Sequence, residues 1–159
     1  RNIWHFTGDL QRTIAESRRD GYIQGMKKHG LPVGRHTIIE SDFEKQVGYL
    51  QMKQLIRLHE GALPDGIFFA GDVTAYGALQ ALEEEKIRVP EQMKIVGFDN
   101  DTTCANDRNH PFLTTLSQPL LEMGQAAVRM LISAIQNPTA SKETKIFLPE
   151  LIIRESTGK

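Results

Sequence analysis

The chain has little of several features that would point to particular protein classes. It has one cysteine in 159 residues, which excludes an internal disulfide and therefore the disulfide-stapled folds. A net charge of -1 gives the chain as a whole no electrostatic footprint for nucleic acid. No apolar run approaches the ~20 residues that cross a bilayer, and no signal peptide is visible. With 40% hydrophobic and 25% charged residues, the composition is that of one globular domain of ordinary size.

Short apolar runs alternate with segments of helical periodicity through the first two thirds of the chain. This β-α-β-α-β-α-β order predicts a parallel, doubly wound α/β sheet with flanking helices and right-handed crossovers. One run is apolar throughout, as expected of a strand that is covered on both faces. The four predicted strands are residues 2–6, 37–40, 67–70 and 94–98.

The pattern changes after residue 98. Residues 100–111 form a polar stretch without periodicity, and long loops in compact domains tend to be functional or to make contacts. Beyond this loop the sequence predicts a strand at 113–116 and a helix that begins at Pro119 and ends near Gln136. Two short strands are predicted at 145–148 and 151–154.

Three acidic residues follow predicted strands, at the edge where open α/β sheets bind ligands. Asp99 follows the fourth strand, Asp9 the first and Asp72 the third. A carboxylate there can accept hydrogen bonds from neighbouring sugar hydroxyls, or from an amine or purine donor. Asp99 can equally cap a turn, and Asp72 fits a helix cap better than a ligand contact. Asp99 is therefore the leading candidate.

Signatures of catalysis and of metal binding are weak. A dinucleotide fingerprint needs three spaced glycines after the first strand, where the sequence offers only Gly8. Residues 99–101 begin like a calcium loop but lack its glycine and closing acid. Cys104 and His110 lack any oxyanion device. We predict no enzyme, no cofactor and no metal site, and keep a Mg²⁺-dependent phosphotransferase as an alternative because acids follow three strands.

Five separated blocks of the sequence carry a family pattern. They are residues 18–22 (Arg-Arg-Asp-Gly-Tyr), 68–79, 89–100, 111–127 and 148–156. In this order they resemble the lac repressor (LacI/GalR) family of bacterial transcriptional regulators, over essentially the whole chain. The resemblance implies a two-lobed periplasmic-binding-protein-like core that senses a small effector and is joined to an N-terminal helix-turn-helix.

The resemblance also implies that the chain is a piece of a longer protein and holds one lobe of the core. Residues 1–112 and 143–159 are expected to form the C-terminal effector subdomain. Residues 113–142, a strand and a helix, are expected to belong to the first lobe, most of which this sequence lacks. The apolar face of that helix would then miss its usual partner, so we expect it to pack on another copy of the chain, to fold differently or to show weak order.

By the same resemblance, Arg18, Phe43 and Asp99 contact the effector, which in this family is most often a sugar. A planar guanidinium and a carboxylate suit paired hydroxyls, and an aromatic ring can stack on the apolar face of a sugar. From the residues alone, Arg18 could be a solvated surface charge and Phe43 a core residue. Gly71 stands where many sugar-binding members carry an asparagine, so one polar contact is missing.

The resemblance finally implies a cytoplasmic homodimer that binds operator DNA through a domain outside this chain and has no membrane partner. Its interface would include Tyr76, Gln80, Thr103 and Cys104, although Tyr76 could equally lie in the core. The predicted function is effector sensing by a repressor, through a shift in the population of lobe arrangements. The alternative is a fragment of a periplasmic sugar-binding protein that serves a transporter.

Overall fold

A single six-stranded sheet organises the chain, of which the computed structural model describes residues 1–59, 62–103, 111–138 and 143–158. The spatial order of the strands is β2-β1-β3-β4-β5-β6, and all neighbouring pairs are parallel except β5 and β6. This order confirms the predicted doubly wound α/β fold. The strands are β1 (Ile3–Phe6), β2 (Ile38–Ile39), β3 (Gly66–Phe69), β4 (Lys94–Phe98), β5 (Thr114–Ser117) and β6 (Glu150–Ile152).

Four α-helices accompany the sheet in the described part of the chain: α1 (Thr13–Lys28), α2 (Lys45–Leu58), α3 (Asp72–Glu84) and α4 (Leu120–Gln136). Helix α2 follows a short loop in which Asp42 accepts a hydrogen bond from the Phe43 amide. The predicted strand at 145–148 is wrong. That stretch pairs with no strand of the described residues and leaves Ile146 80% exposed.

Helices α2 and α3 cover one face of the sheet and touch each other at two glycines. A Cβ atom at Gly48 would lie 2.2 Å from the Thr74 carbonyl oxygen, and one at Gly77 would lie 1.9 Å from the Lys45 carbonyl oxygen. The two backbones can approach this closely only because neither position carries a side chain. The core beneath them includes Trp4, Phe6, Met52, Leu55, Ile67, Phe69, Leu82, Met93 and Ile95.

Helix α1 covers the opposite face, where side chains alternate with those that face the core. His5 is fully buried there, stacked between the rings of Tyr22 and Phe68. Its Nδ1 lies 2.8 Å from the Phe68 carbonyl oxygen, which makes Nδ1 the donor of the neutral ring. Burial lowers the pKa of His5 to about 4, so the imidazole is uncharged at neutral pH.

Strand β5 lies within the sheet, between β4 and β6, so its position gives no support to the predicted assignment of this strand to the first lobe. Backbone hydrogen bonding to β4 places it in this lobe. Helix α4 differs, because Ala126 is its only buried residue, and its assignment to the first lobe stays a prediction. No helix of the described residues has the length and apolar character needed to cross a membrane. The exposed large apolar residues of α4 are Leu120, Leu121, Met123, Val128, Met130, Leu131, Ile132 and Ile135.

Candidate functional site

The carboxyl ends of β1, β3 and β4 meet beside α1, and Asp99 stands at this edge. Its φ is 108° and that of Asn100 is 55°, so two consecutive residues that are not glycine have a left-handed backbone. Such conformations cost free energy and persist only where the surroundings hold them. The amide of Asp99 donates to the Leu116 carbonyl oxygen at 2.8 Å, which ties the turn to β5.

Arg18 reaches Asp99 from α1. Its Nη2 donates to Asp99 Oδ1 at 2.9 Å, and its Nη1 donates to the Ala70 carbonyl oxygen at the end of β3. The guanidinium carbon lies 3.8 Å from the centroid of the Phe98 ring, close enough for a cation–π interaction. The Arg18 side chain is only 7% exposed, which excludes the interpretation of this residue as a solvated surface charge.

Gln118, which was not predicted as a site residue, completes this polar set. Its Nε2 donates to Asp99 Oδ1 at 3.0 Å from the two-residue link between β5 and α4. Both hydrogen bonds to the carboxylate thus fall on Oδ1, while the Asp99 side chain is 37% exposed. The second carboxylate oxygen receives no hydrogen bond from the described residues and can accept one from a ligand.

The ring of Phe43 lies across the strand ends against two glycines. A Cβ atom at Gly8 would stand 2.2 Å from the ring, and one at Gly71 would stand 2.9 Å from it. An asparagine side chain at position 71 therefore could not coexist with this ring position. Phe43 is half-buried and lies in the loop before α2, not in the core, and the Arg18 guanidinium is 5.9 Å from its centroid.

Asp9 does not join this set. Its Oδ1 accepts a hydrogen bond from the Gln11 amide at 2.9 Å, and its Oδ2 lies 3.5 Å from Nε of Arg12. These contacts stabilise the turn that leads into α1. An effector contact by Asp9 stays a prediction, without support from its position.

Asp72 is 1% exposed and lies beneath the site, not in it. Thr115 donates its hydroxyl to both carboxylate oxygens, at 2.8 and 2.9 Å, and the Asp101 amide donates at 2.9 Å. Burial raises the pKa of Asp72 to about 6, against the lowering effect of these hydrogen bonds. Both oxygens hold β5 and the turn after β4, so an effector contact by Asp72 stays a prediction without support from its position. Asp72 is also the first residue of α3, and the cap is Gly71.

The predicted interface residues fall into three groups. Tyr76 is 2% exposed and belongs to the hydrophobic core of the single chain, so it has almost no surface left for a partner. Its position fits the core alternative, and an interface role for Tyr76 stays a prediction without support from that position. Gln80 and Thr103 are exposed, and their role stays a prediction. Cys104 lies outside the described residues.

An open groove of about 490 Å³ adjoins Arg18 on the α1 side of the sheet. Its size is within the range of small-molecule sites. The three strand-end acids do not converge on it, since Asp9 turns into α1, Asp72 is buried and Asp99 is paired with Arg18. Within the described residues this leaves the phosphotransferase alternative without a grouping of acids. The groove is lined by Ile14, Ser17, Arg18, Gly21, Tyr22, Phe68, Phe98 and Gln118.

Comparison with known proteins gives a consistent result. Residues 1–157 match the family model of the periplasmic binding protein-like domain. The chain is 33% identical to the ribose operon repressor of Haemophilus influenzae over 156 residues, which are 98% of this chain and 46% of that protein. It is 34% identical to the HTH-type transcriptional repressor PurR of Photorhabdus laumondii over 157 residues, 98% of this chain and 45% of that protein. The chain thus spans about half the length of the curated relatives it matches.

Solved structures agree with the sequence relatives. A transcriptional regulator CelR–cellobiose complex superposes with a TM-score of 0.85 and 27% identity, over 98% of this chain and 46% of that one. The lac repressor dimer bound to operator and the anti-inducer ONPF gives 0.83 and 26%, over 98% and 45%. The chain therefore belongs to the periplasmic binding protein-like domain family, and its relatives there are LacI-family transcriptional repressors.

Proposed function

We propose that this chain is part of the effector-sensing domain of a DNA-binding transcriptional repressor. The observation that carries the proposal is the ion pair of Arg18 and Asp99 at the carboxyl edge of the sheet, with one carboxylate oxygen still able to accept a hydrogen bond. Buried charge held in a fixed geometry beside an exposed acceptor suits a polar ligand, since little reorganisation is needed on binding. The comparisons support a regulator over a transport protein.

A sugar is the first candidate for the effector. Asp99 can accept from a hydroxyl, and the half-exposed Phe43 ring offers an apolar surface beside it. Two relatives support the class: one is named as the repressor of a ribose operon, and one solved regulator is a complex with cellobiose.

A nucleoside or nucleobase is the second candidate, favoured by the position of the Phe43 ring. With glycine at position 71, the ring lies against the strand ends and offers an aromatic surface there instead of an amide. The carboxylate of Asp99 can accept from a ring N–H as well as from a hydroxyl. Sugars and nucleosides therefore belong in the same screen.

The mechanism follows from the half-site. A ligand that touches Asp99 on this lobe and a facing lobe elsewhere in the protein favours the closed arrangement of the two by its differential affinity. In a homodimeric repressor this shift changes operator affinity, and the coupling acts equally in both directions. A protein with this role binds DNA in the cytoplasm and carries out no reaction on its effector.

A thermal-shift screen of the full-length protein tests the proposal. D-ribose, cellobiose and adenosine serve as probes, because a ligand that binds only the folded state at 100 times its Kd stabilises by about 2.7 kcal/mol. We expect the shift to vanish in Asp99→Asn, which cannot accept from the same donors while bound to Arg18. Asp20→Asn is the matched control, since Asp20 is an exposed α1 residue whose partner among the described residues is its neighbour Arg19.

Operator binding is the second part of the test. The DNA sequence that the full-length protein selects from a random pool is titrated with and without the active probe. A change in operator affinity supports the proposal. Stabilisation that persists in Asp99→Asn, or a bound probe that leaves operator affinity unchanged, would contradict it.

A further inference from the structure

The side chain of Asn100 bridges two segments that lie far apart in the sequence. Its Oδ1 accepts a hydrogen bond from Arg154 Nη2 at 2.6 Å, and its Nδ2 lies 3.3 Å from Ser117 Oγ. Its backbone amide donates to Thr115 Oγ1 at 3.2 Å. One residue thus holds β5 by two hydroxyls and the segment after β6 by a guanidinium.

These two segments belong to β5 and to the chain just after β6, and between these two strands the chain leaves the sheet to form α4. Ser117 ends β5, and α4 begins three residues later at Leu120. Arg154 follows β6, which residues 143–149 precede. The guanidinium of Arg154 also donates from Nη1 to the Leu113 carbonyl oxygen at 2.8 Å, so Asn100 and Arg154 together tie both ends of the β5–β6 pair.

Asn100 is joined to the candidate ligand contact by one peptide bond. Asp99 and Asn100 have φ values of 108° and 55°, and rotation of either moves the other. Asparagine tolerates the left-handed region better than most side chains, and its amide carries both the donor and the acceptor that the two segments require. A carboxylate, by contrast, offers Ser117 no donor and depends on the hydroxyl to turn.

We propose that Asn100 is a positioning residue that transmits effector contact at Asp99 to the two connecting segments, and so to the facing lobe. The proposal rests on the function proposed above. When a ligand forms a hydrogen bond with the Asp99 carboxylate, the turn of Asp99 and Asn100 moves. The side-chain hydrogen bonds of Asn100 then pass this movement to Ser117 and Arg154. The side chain of Asn100 bonds to Ser117 and Arg154 and not to the Asp99 carboxylate, so its effect on coupling can be measured apart from an effect on affinity.

The test uses the full-length protein, with D-ribose and adenosine as probes and the selected DNA sequence as operator. Two quantities are measured for each protein: the Kd of the probe by calorimetry, and the ratio of operator affinities with and without it. Asn100→Gly removes both side-chain bonds, while glycine accepts the left-handed backbone without strain. Asn100→Asp keeps the acceptor for Arg154 and allows the Ser117 hydroxyl to donate.

We expect wild type to show a ratio in the range of about 5 to 150, typical of coupled sites. In Asn100→Gly the ratio should fall below about twofold, while the probe Kd stays within about threefold, or 0.7 kcal/mol. Asn100→Asp should retain most of the coupling. Arg154→Lys, which cannot contact Leu113 and Asn100 with one planar group, should lose coupling as Asn100→Gly does.

The outcomes separate this proposal from the function on which it rests. A full operator response in Asn100→Gly refutes the positioning role and leaves the repressor function standing. Weaker probe binding with undiminished coupling refutes it too, because Asn100 would then shape the site. If wild type answers neither probe and selects no DNA, the proposed function fails and the positioning role falls with it. Arg154→Lys provides the decision if Asn100→Gly does not fold.

Discussion

Two buried titratable groups push the stability of this lobe in opposite directions as pH changes. Burial raises the pKa of Asp72 from 3.8 to about 6 and lowers the pKa of His5 from 6.5 to about 4. Folded Asp72 keeps a proton that the unfolded chain has lost, so its contribution to stability is lost as pH rises from about 4 to 6. In the folded chain His5 stays unprotonated where the unfolded chain binds a proton. Its contribution to stability is therefore lost as pH falls from about 6.5 to 4.

The two effects are similar in size. The pKa of each group differs by about two pH units between the folded and the unfolded chain. At about 1.36 kcal/mol per pH unit, each difference corresponds to about 3 kcal/mol of stability. In wild type we therefore expect them to cancel to within about 1 kcal/mol between pH 4 and 6.5. Asp72→Asn removes the effect of the aspartate and leaves that of His5. The free energy of unfolding of this variant should therefore rise by about 3 kcal/mol as pH increases from about 4 to 6.5. His5→Gln removes the effect of the histidine and leaves that of Asp72. The free energy of unfolding of this variant should fall by about 3 kcal/mol as pH increases over the same range.

Urea unfolding of the three proteins at about pH 4, 5, 6 and 7 checks the prediction. The informative quantity is the difference between each variant and wild type. The Tyr49 hydroxyl lowers the pKa of Glu84, and this contribution is common to all three proteins and cancels in the difference. If Asp72→Asn ran parallel to wild type at every pH, the argument that burial raises the pKa of Asp72 would be refuted.

Three further predictions concern the site, the helix contact and the exposed helix. Gly71→Asn should raise the effector Kd at least about tenfold by calorimetry, because its side chain displaces the Phe43 ring; an unchanged Kd would contradict this. Gly77→Ala should lower the free energy of unfolding by about 1–3 kcal/mol in urea, whereas Gly25→Ala, with open space around it, should not lower it. Leu131→Glu on α4 should reduce the self-association of this chain in light scattering, and a wild-type chain that stays monomeric at all concentrations would refute that.

The sheet could be predicted because its signals are local. An apolar run of strand length between helical segments fixes the element type, and the alternation fixes the parallel order. β4 has the predicted bounds, residues 94–98. The prediction of a strand at 145–148 was wrong, and the sequence of this stretch alone could not have shown why. A strand needs a neighbour, and the described residues supply none there.

The candidate site shows the same division. Asp99 and Arg18 could be named from the sequence, because a strand end and a family block point to them, but their direct contact could not. Gln118 was missed because a glutamine between a strand and a helix carries no local signal. The role of Asp72 could not be decided, because the same residue type serves at a strand end as ligand contact or as buried support. Only the position of Thr115 on a strand far along the chain decides which.

The carboxylate of Asp99 belongs both to the candidate site and to the contacts that hold the fold together. Oδ1 of Asp99 takes donors from α1 and from the link between β5 and α4, so the carboxylate that a ligand would contact also fastens two elements together. A ligand that competes for this carboxylate must loosen Arg18 or Gln118, or else bind Oδ2 and tighten both. The first case frees the α4 link, and the second fixes it. Under the proposed function, a ligand at Asp99 would in either case change how firmly α4 is held to the sheet.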